Sequence, residues 1–249
     1  MRLTLCILCW NEVDGCRHDI LRLPMDAFDE VFALDGGSDD GTVEYLREQG
    51  VDVRAQRRKG YNAAYFEAVE QCTGDAIVFF HPKGSIDPAC VLRFREAFDA
   101  GAQLVVASRN APGGRNEEDD TFFRPRKWFV QGLALAAALV WKREGARIGD
   151  VLHGVRGITT AAFWRMGLER SGVSIDLEMV VRAYRMRLPR AEFPVREGGR
   201  LAGTTHFKAL PTGWRILCFF ARELRRRGAR RPWTAETVIP AQAHKEDAS

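Results

Sequence analysis

With 249 residues, 46% apolar and 28% charged, the chain has material for one large α/β domain or two small ones, and its composition is neither disordered nor fibrous. Its net charge of +4, from 37 basic and 33 acidic side chains, is too small to indicate a nucleic-acid partner, although arginines cluster between Arg215 and Arg231. Six scattered cysteines, with one CxxC spacing at Cys6 and Cys9 inside an apolar run and no second pair behind it, read as reduced thiols of a cytoplasmic protein.

Residues 3–9 predict a first strand rather than a targeting peptide, since only Arg2 stands in front of the apolar run. It ends at Trp10, Asn11 and Glu12, and the polar segment 14–24 starts a helix. Residues 30–42, EVFALDGGSDDGT, are the stretch around which the chain is organised. Positions 31–34 are an apolar run bounded by turn residues, as in a buried strand. The run ends on Asp35, and Gly36 and Gly37 let the backbone turn sharply. Ser38, Asp39 and Asp40 are placed to cap a helix starting near Thr42. A carboxylate at the carboxyl end of a buried strand, followed by a tight turn, is where open α/β sheets bind ligands. A plain strand-to-helix connection is the other reading of the same residues.

A helix over 42–49, a short strand over 51–55, a basic turn at 56–59 and a helix over 60–71 come next. Residues 76–80 are a second strongly apolar strand, followed by the loop HPKGSIDP at 81–88. A helix over 89–100 and a strand over 104–107 lead into 108–126, a Gly-, Pro- and charge-rich stretch expected to be a long mobile loop or lid. Residues 128–141, WFVQGLALAAALVW, fall short of the roughly 20 residues that span a bilayer, so they read as a buried helix or as one lying in a membrane surface. Strand and helix signals in alternation predict a parallel sheet with right-handed crossovers.

Taken together, several segments resemble family-2 glycosyltransferases of the GT-A fold, in particular the polyprenyl-phosphate (dolichol-phosphate) sugar synthase branch. The resemblance covers about residues 3–217. It is carried by Trp10-Asn11-Glu12, LDGGSDDGT at 34–42, GYNAAYFEAVEQCTGDAIVFF at 60–80 and ASRN at 107–110. GDVLHGVRGITTAAF at 149–163, SIDLEMVVRAYRMRLPRAEFPV at 174–195 and RLAGTTHFK at 200–208 complete it. It implies a single Rossmann-like domain over 1–210, a mostly parallel sheet flanked by helices. Behind it come a basic amphipathic helix over 211–231 and a disordered tail over 232–249.

The resemblance also implies site residues. Asp35 matches the carboxylate that faces the nucleoside of a nucleotide-diphosphate sugar, with Asn11, Glu12, Gly37, Ser38, Arg58 and Gly60 around it. Arg57 and Lys59 add charge to the same basic turn. Asp176 and Glu178 match the family's acidic pair, from which a general base would deprotonate a hydroxyl acceptor; a phosphate acceptor would need none. The other reading has Asp176 capping a helix start and Glu178 pairing with Arg182 at i,i+4. Arg156, Arg196, Arg200, His206 and Lys208 match the diphosphate and acceptor side, where guanidinium groups suit phosphate oxygens.

One departure matters. Active relatives carry Asp-x-Asp in the 81–88 loop, holding Mg²⁺ or Mn²⁺ against the diphosphate. Here His81 and Lys83 stand in those places and the nearest acid is Asp87. Three readings stay open: Lys83 supplies the charge and no metal is needed, His81 and Asp87 ligate one in altered geometry, or catalysis is lost. The expected function is inverting transfer of a sugar to a polyprenyl phosphate or glycan precursor of the cell envelope. It would take place at the cytoplasmic membrane face, with peripheral contact through 211–231. The alternative is a non-catalytic sugar-nucleotide or glycan-binding paralogue. No motif supports nucleic-acid binding.

Overall fold

The structure, a computed structural model, describes residues 1–199 and 209–228. Its centre is β1 (Leu3–Cys9), every residue of which is buried, as expected of a strand covered on both faces. Parallel neighbours flank it: β2 (Glu30–Asp35) on one side and β4 (Ala76–Phe80) on the other. The register sets Cys9 opposite Asp35 and Ile7 opposite Phe80, so the carboxyl ends of all three strands open on one edge. β3 (Asp52–Ala55) pairs with β2 at the sheet margin. Because the chain leaves β1 toward β2 and β3 and returns to its other side as β4, a topological switch point falls between β1 and β4.

The second half adds β5 (Leu104–Ser108), β6 (Arg156–Thr159) and β7 (Arg190–Pro194), giving the order β3-β2-β1-β4-β6-β5-β7. β6 runs antiparallel between β4 and β5, a reversal that the alternating pattern did not predict. The sheet is otherwise parallel, as expected.

Side chains alternate between the two faces. Cys6, Leu8, Phe32, Leu34, Ile77 and Phe79 face α3 (Tyr61–Gln71), α5 (Pro125–Trp141), α6 (Thr160–Arg165), α7 (Ile175–Arg185) and α8 (Ala209–Gly228). Leu5, Ile7, Ala33, Val78 and Phe80 face α1 (Val13–Asp19), α2 (Thr42–Glu48) and α4 (Arg93–Asp99).

Pro125 opens α5, where its missing N–H costs nothing. The helix buries Val130, Leu133, Ala134, Ala137 and Trp141 but exposes Trp128, Leu135 and Leu139, so it is covered on one side only. α8 packs Ile216 and Phe219 into the core, with the Phe220 ring 5.0 Å edge-on from Trp141. It leaves Leu210, Trp214, Leu217 and Leu224 exposed. Among the described residues no helix is long and apolar enough to cross a membrane.

The stretch expected as a long mobile loop or lid carries its own network of ion pairs around one short turn. Asn116 caps a short 3-10 turn at Glu117–Asp120 through a capping box, and the acidic run pairs with Arg115, Arg124, Arg126 and Lys127.

Candidate active site

The turn after β2 is built by local hydrogen bonds. The Asp35 carboxylate, 5% exposed, accepts the N–H groups of Gly37 and Ser38 at 2.8 and 2.9 Å and the Ser38 hydroxyl at 2.5 Å. The Ser38 hydroxyl in turn accepts the Asn11 N–H at 2.8 Å, while the Asn11 side chain accepts the Asp39 N–H at 2.9 Å. Asn11 has a left-handed backbone, φ +51°, a conformation asparagine tolerates. Asp40 accepts from Thr42 and from the Val13 N–H, and Thr42 accepts the Glu12 N–H at 3.0 Å. The ends of β1 and β2 thus form one rigid lip, with the half-exposed Trp10 ring at its rim. A Cβ at Gly36 would lie 3.1 Å from the Trp10 Cβ, so glycine here lets the tryptophan lie close.

The loop after β4 is positioned from outside itself. Gly15 on α1 lies beneath Pro82 so closely that a Cβ there would stand 2.0 Å from the Pro82 carbonyl oxygen. Asp19, fully buried, accepts the Gly84 N–H at 2.9 Å. On the other side Gly198 donates to the Ser85 carbonyl at 2.7 Å, and Ile86 bridges Glu197. These anchors hold the main chain around Lys83, whose residue is exposed.

Behind this loop lies a buried polar cluster. Tyr61 and Tyr65, one turn apart on α3, bring their hydroxyls to 3.0 Å. Tyr61 donates to Asp176 Oδ2 at 2.9 Å and Tyr65 to Oδ1 at 3.3 Å, while the Tyr65 hydroxyl lies 3.2 Å from His81 Nε2. Arg156 Nε is 3.0 Å from Asp176 Oδ1, and its guanidinium also donates to the Asp176 and His153 carbonyls. Burial pushes the Asp176 carboxyl above the usual range, although Arg156 and both tyrosines oppose it. Burial, reinforced by Lys83, His153 and Arg156, holds His81 well below the ordinary imidazole range, so it is neutral at pH 7.

A second cluster adjoins through Glu197. Arg109 donates to both oxygens of the fully buried Asp150, at 2.7 and 3.1 Å, and to Glu197 at 2.8 Å. Burial alone would raise Asp150, but the Arg109 charge and hydrogen bonds outweigh it and hold the carboxyl at about 2. His153, whose Nδ1 lies 2.5 Å from the Ala107 carbonyl, is held down to about 4 by burial and by Arg109. Beyond this cluster an open cavity of about 430 Å³ lies between α5 and the end of β5, lined by Asn110, Gly132, Leu135, Arg147 and Glu192.

The structure brings Asn11, Asp35, Gly37 and Ser38 together and sets Glu12 beside them. Other expectations need correction. Residues 175–185 are helical, so Asp176 and Glu178 point apart. Glu178 turns away from the site, fully buried, to pair with Arg182 at 3.1 Å, as Arg182 pairs with Glu223 of α8. Burial raises its carboxyl to about 7, against Arg182. Asp176 does face the site, but its carboxylate already accepts from two tyrosines and an arginine. Arg156 is wholly buried as the counter-charge of Asp176 and offers no surface to a phosphate.

Arg58 binds Glu67 and Glu70 on the flank of α3, and Gly60, with φ +122°, precedes that helix. Arg196 is exposed, its backbone bridged to Arg115. His81 and Asp87 do not converge: Asp87 is exposed, accepts the Ala89 N–H and lies 3.5 Å from Arg22. Arg200, His206 and Lys208 lie outside the described residues.

Sequence reasoning missed Tyr61, Tyr65, Arg109, Asp150, Glu197 and the Gly15–Asp19 support. Tyr61 and Tyr65 stand at i,i+4 in GYNAAY, and Arg109 and Asp150 lie in the ASRN and GDVLHG segments that carry the resemblance, but no role was read for them.

The model of the family described as Glycosyl transferase family 2 matches residues 4–170. The chain is 27% identical over 182 residues to Glycosyltransferase AglJ of Haloferax volcanii, covering 71% of this chain and 57% of that protein. It is 26% identical over 197 residues to the low-salt glycan biosynthesis hexosyltransferase Agl6 of the same organism, covering 78% and 46%. The chain thus spans about half the length of these relatives. Among solved structures, glucosyl-3-phosphoglycerate synthase from Mycobacterium tuberculosis with phosphoglyceric acid aligns at TM-score 0.68 and 18% identity, over 89% of this chain and 79% of that one. The same synthase with Mn²⁺, uridine diphosphate and phosphoglyceric acid aligns at 0.66 and 18%, over 89% and 78%. At that identity the likeness is one of fold. Because the family model spans more than half of its residues, the chain belongs to glycosyl transferase family 2.

Proposed function

We propose that this chain transfers a sugar from a nucleotide-diphosphate donor to a phosphate-bearing acceptor, a polyprenyl phosphate in a glycan-building pathway. The observation that carries the reading is the shared edge of β1, β2 and β4, where the Asp35 lip and the Lys83 loop flank one switch point. The nucleoside lies on the lip, with Trp10 as a stacking surface and the polar atoms of the Asn11 and Asp35 turn beside it. The diphosphate points toward Lys83.

A phosphate acceptor is supported by the state of Asp176. A carboxylate saturated by Tyr61, Tyr65 and Arg156 is poorly placed to accept a proton, and an acceptor already ionised requires no proton acceptor. Asp176 then acts by holding Tyr61, Tyr65 and His81 in place. Attack of the acceptor oxygen on C1 from the face opposite the leaving diphosphate inverts the anomeric centre. The cavity between α5 and the end of β5, lined by both Leu135 and Arg147, suits an acceptor with an apolar tail and a charged head. Membrane contact is supported by the exposed Phe122, Phe123, Trp128, Leu210 and Trp214. The starts of α5 and α8 lie side by side, a Cβ at Gly213 falling 3.9 Å from the Phe129 ring. Exposed Arg215 adds positive charge suited to anionic headgroups.

The test uses anionic vesicles carrying a polyprenyl phosphate, incubated with UDP-, GDP- and dTDP-sugars. The expected result is sedimentation of the protein with the vesicles and a glycosyl phospholipid detected by mass spectrometry. Transfer only to hydroxyl acceptors sinks the acceptor assignment. A second reading, a sugar-nucleotide-binding paralogue, is favoured by His81 and Lys83 standing where relatives carry acids. It predicts nucleotide binding with neither transfer nor donor hydrolysis.

A further inference from the structure

We propose that Gly132 forms the floor of an apolar passage on the outer side of α5, along which the isoprenoid tail of the acceptor runs from the cavity beside β5 to the aromatic rim at Phe122, Phe123 and Trp128. The proposal rests on the acceptor reading above and deepens it.

The outer side of α5 is unlike that of an ordinary surface helix. Residues 128–141 contain no charged side chain, and Gln131 is their one polar amide. A helix with one face on the core usually turns charge to the other. Here Trp128, Gly132, Leu135 and Leu139 recur at spacings of four, three and four, so they share one side, and all four are exposed. On one flank α8 packs against the helix, with Gly213 beside Phe129 and Phe220 edge-on to Trp141. On the other flank Gln131, Gly132 and Leu135 form a wall of the cavity. The stripe therefore joins the cavity to the rim, where the Phe123 ring stands edge-on to Trp128 at 5.4 Å.

Glycine inside a helix costs stability relative to alanine, because the unfolded chain has more freedom to lose. The usual reason for one is close packing by a neighbour. Among the described residues no atom lies within 4 Å of where a Gly132 Cβ would stand. What the missing side chain leaves is room above the helix, between Trp128 and Leu135. An isoprenoid chain suits that room, being apolar and continuous with the head that the cavity suits. Arg147 brings positive charge to the cavity, and Glu192, the one acid among its described lining residues, is turned to the Gly149 N–H at 2.7 Å. A cation beside an uncharged stripe complements an anionic head on an apolar tail.

Transfer by the full chain, in detergent micelles, to a long-chain polyprenyl phosphate and to the short-chain analogue citronellyl phosphate tests this. The expected result is a wild-type preference for the long chain. In Gly132→Trp the long-to-short ratio of kcat/KM should fall roughly tenfold or more, carried by KM. Gly132→Ala should lower the ratio less, and Leu135→Asp, on the same exposed stripe, should lower it as well. Both Gly132 variants should melt at or above the wild-type temperature, since the new side chain enters open space and glycine is the poorer helix former. An unchanged ratio in either Gly132→Trp or Leu135→Asp overturns the proposal and leaves the acceptor reading standing, as does an equal loss on both acceptors. A lowered Tm in Gly132→Trp would mean that the chain's own residues fill the space, and overturns it too. Weaker sedimentation of Leu135→Asp on vesicles lacking polyprenyl phosphate would put the stripe in the bilayer, and a changed sedimentation coefficient without vesicles would put it against a second copy; either overturns the proposal. Wild-type protein that transfers to neither phosphate overturns the acceptor reading and the proposal with it.

Discussion

The two halves of the sheet's carboxyl edge are built in different ways. The lip over β1 and β2 closes on itself through neutral or singly charged hydrogen bonds among residues 9–13 and 35–42, most of them to backbone N–H groups. The half over β4, β6 and β5 is held by buried ion pairs between segments far apart in the chain. Arg109 meets Asp150 and Glu197, and Arg156 meets Asp176. A site built the first way tolerates loss of a single partner, because water and neighbouring donors take its place. A site built the second way does not, since removing one partner strands a charge away from water.

Three perturbations sharpen that contrast, in descending order of size. Asp150→Ala leaves Arg109 with Glu197 alone and should cost about 3 kcal/mol or more, read as a lower urea midpoint at unchanged slope. An unfolding free energy within error of wild type would mean that the second half is not held by this pair.

His153 makes the same half sensitive to acid. It faces Arg109, Asp150 and Glu197, and its folded-state pKa is lowered from 6.5 to about 4. Between those values the unfolded chain binds a proton that the folded chain does not. Stability is therefore full above pH 6.5 and is lost as pH falls toward 4, by about 3 kcal/mol from this group. His153→Gln should flatten that part of the pH–stability curve relative to wild type, and an unchanged difference across pH 4 to 7 would contradict the assignment. On the lip, Ser38→Ala removes the hydroxyl between Asp35 and Asn11 and should cost only about 1 kcal/mol. A loss as large as that of Asp150→Ala would erase the distinction between the halves.

The same contrast explains what could be read from sequence. The strand 3–9, the 30–42 turn and the strand 76–80 were legible because apolar runs and turn residues act over short range. The glycines and Asp35 of the turn were legible for the same reason, although Ser38 bonds back to Asp35 and to Asn11 behind β1 instead of capping the helix. β6 was not, because its four residues are too few to show a pattern and its direction is set by its neighbours. Asp176 and Glu178 were found as a pair, but their roles depend on whether the segment is helical or extended, and the helix sends Glu178 to α8. The 81–88 loop was legible as a turn-rich segment behind the strand 76–80. Its anchors at Gly15, Asp19 and Gly198 were not, since those contacts join residues 65 or more apart.

The central claim is that the shared carboxyl edge of β1, β2 and β4 holds the donor. Diffraction from a crystal soaked with the preferred nucleoside diphosphate tests it most directly. The account predicts the nucleoside on the Asp35 lip and the diphosphate directed toward the 81–88 loop. A nucleotide bound away from that edge would contradict it.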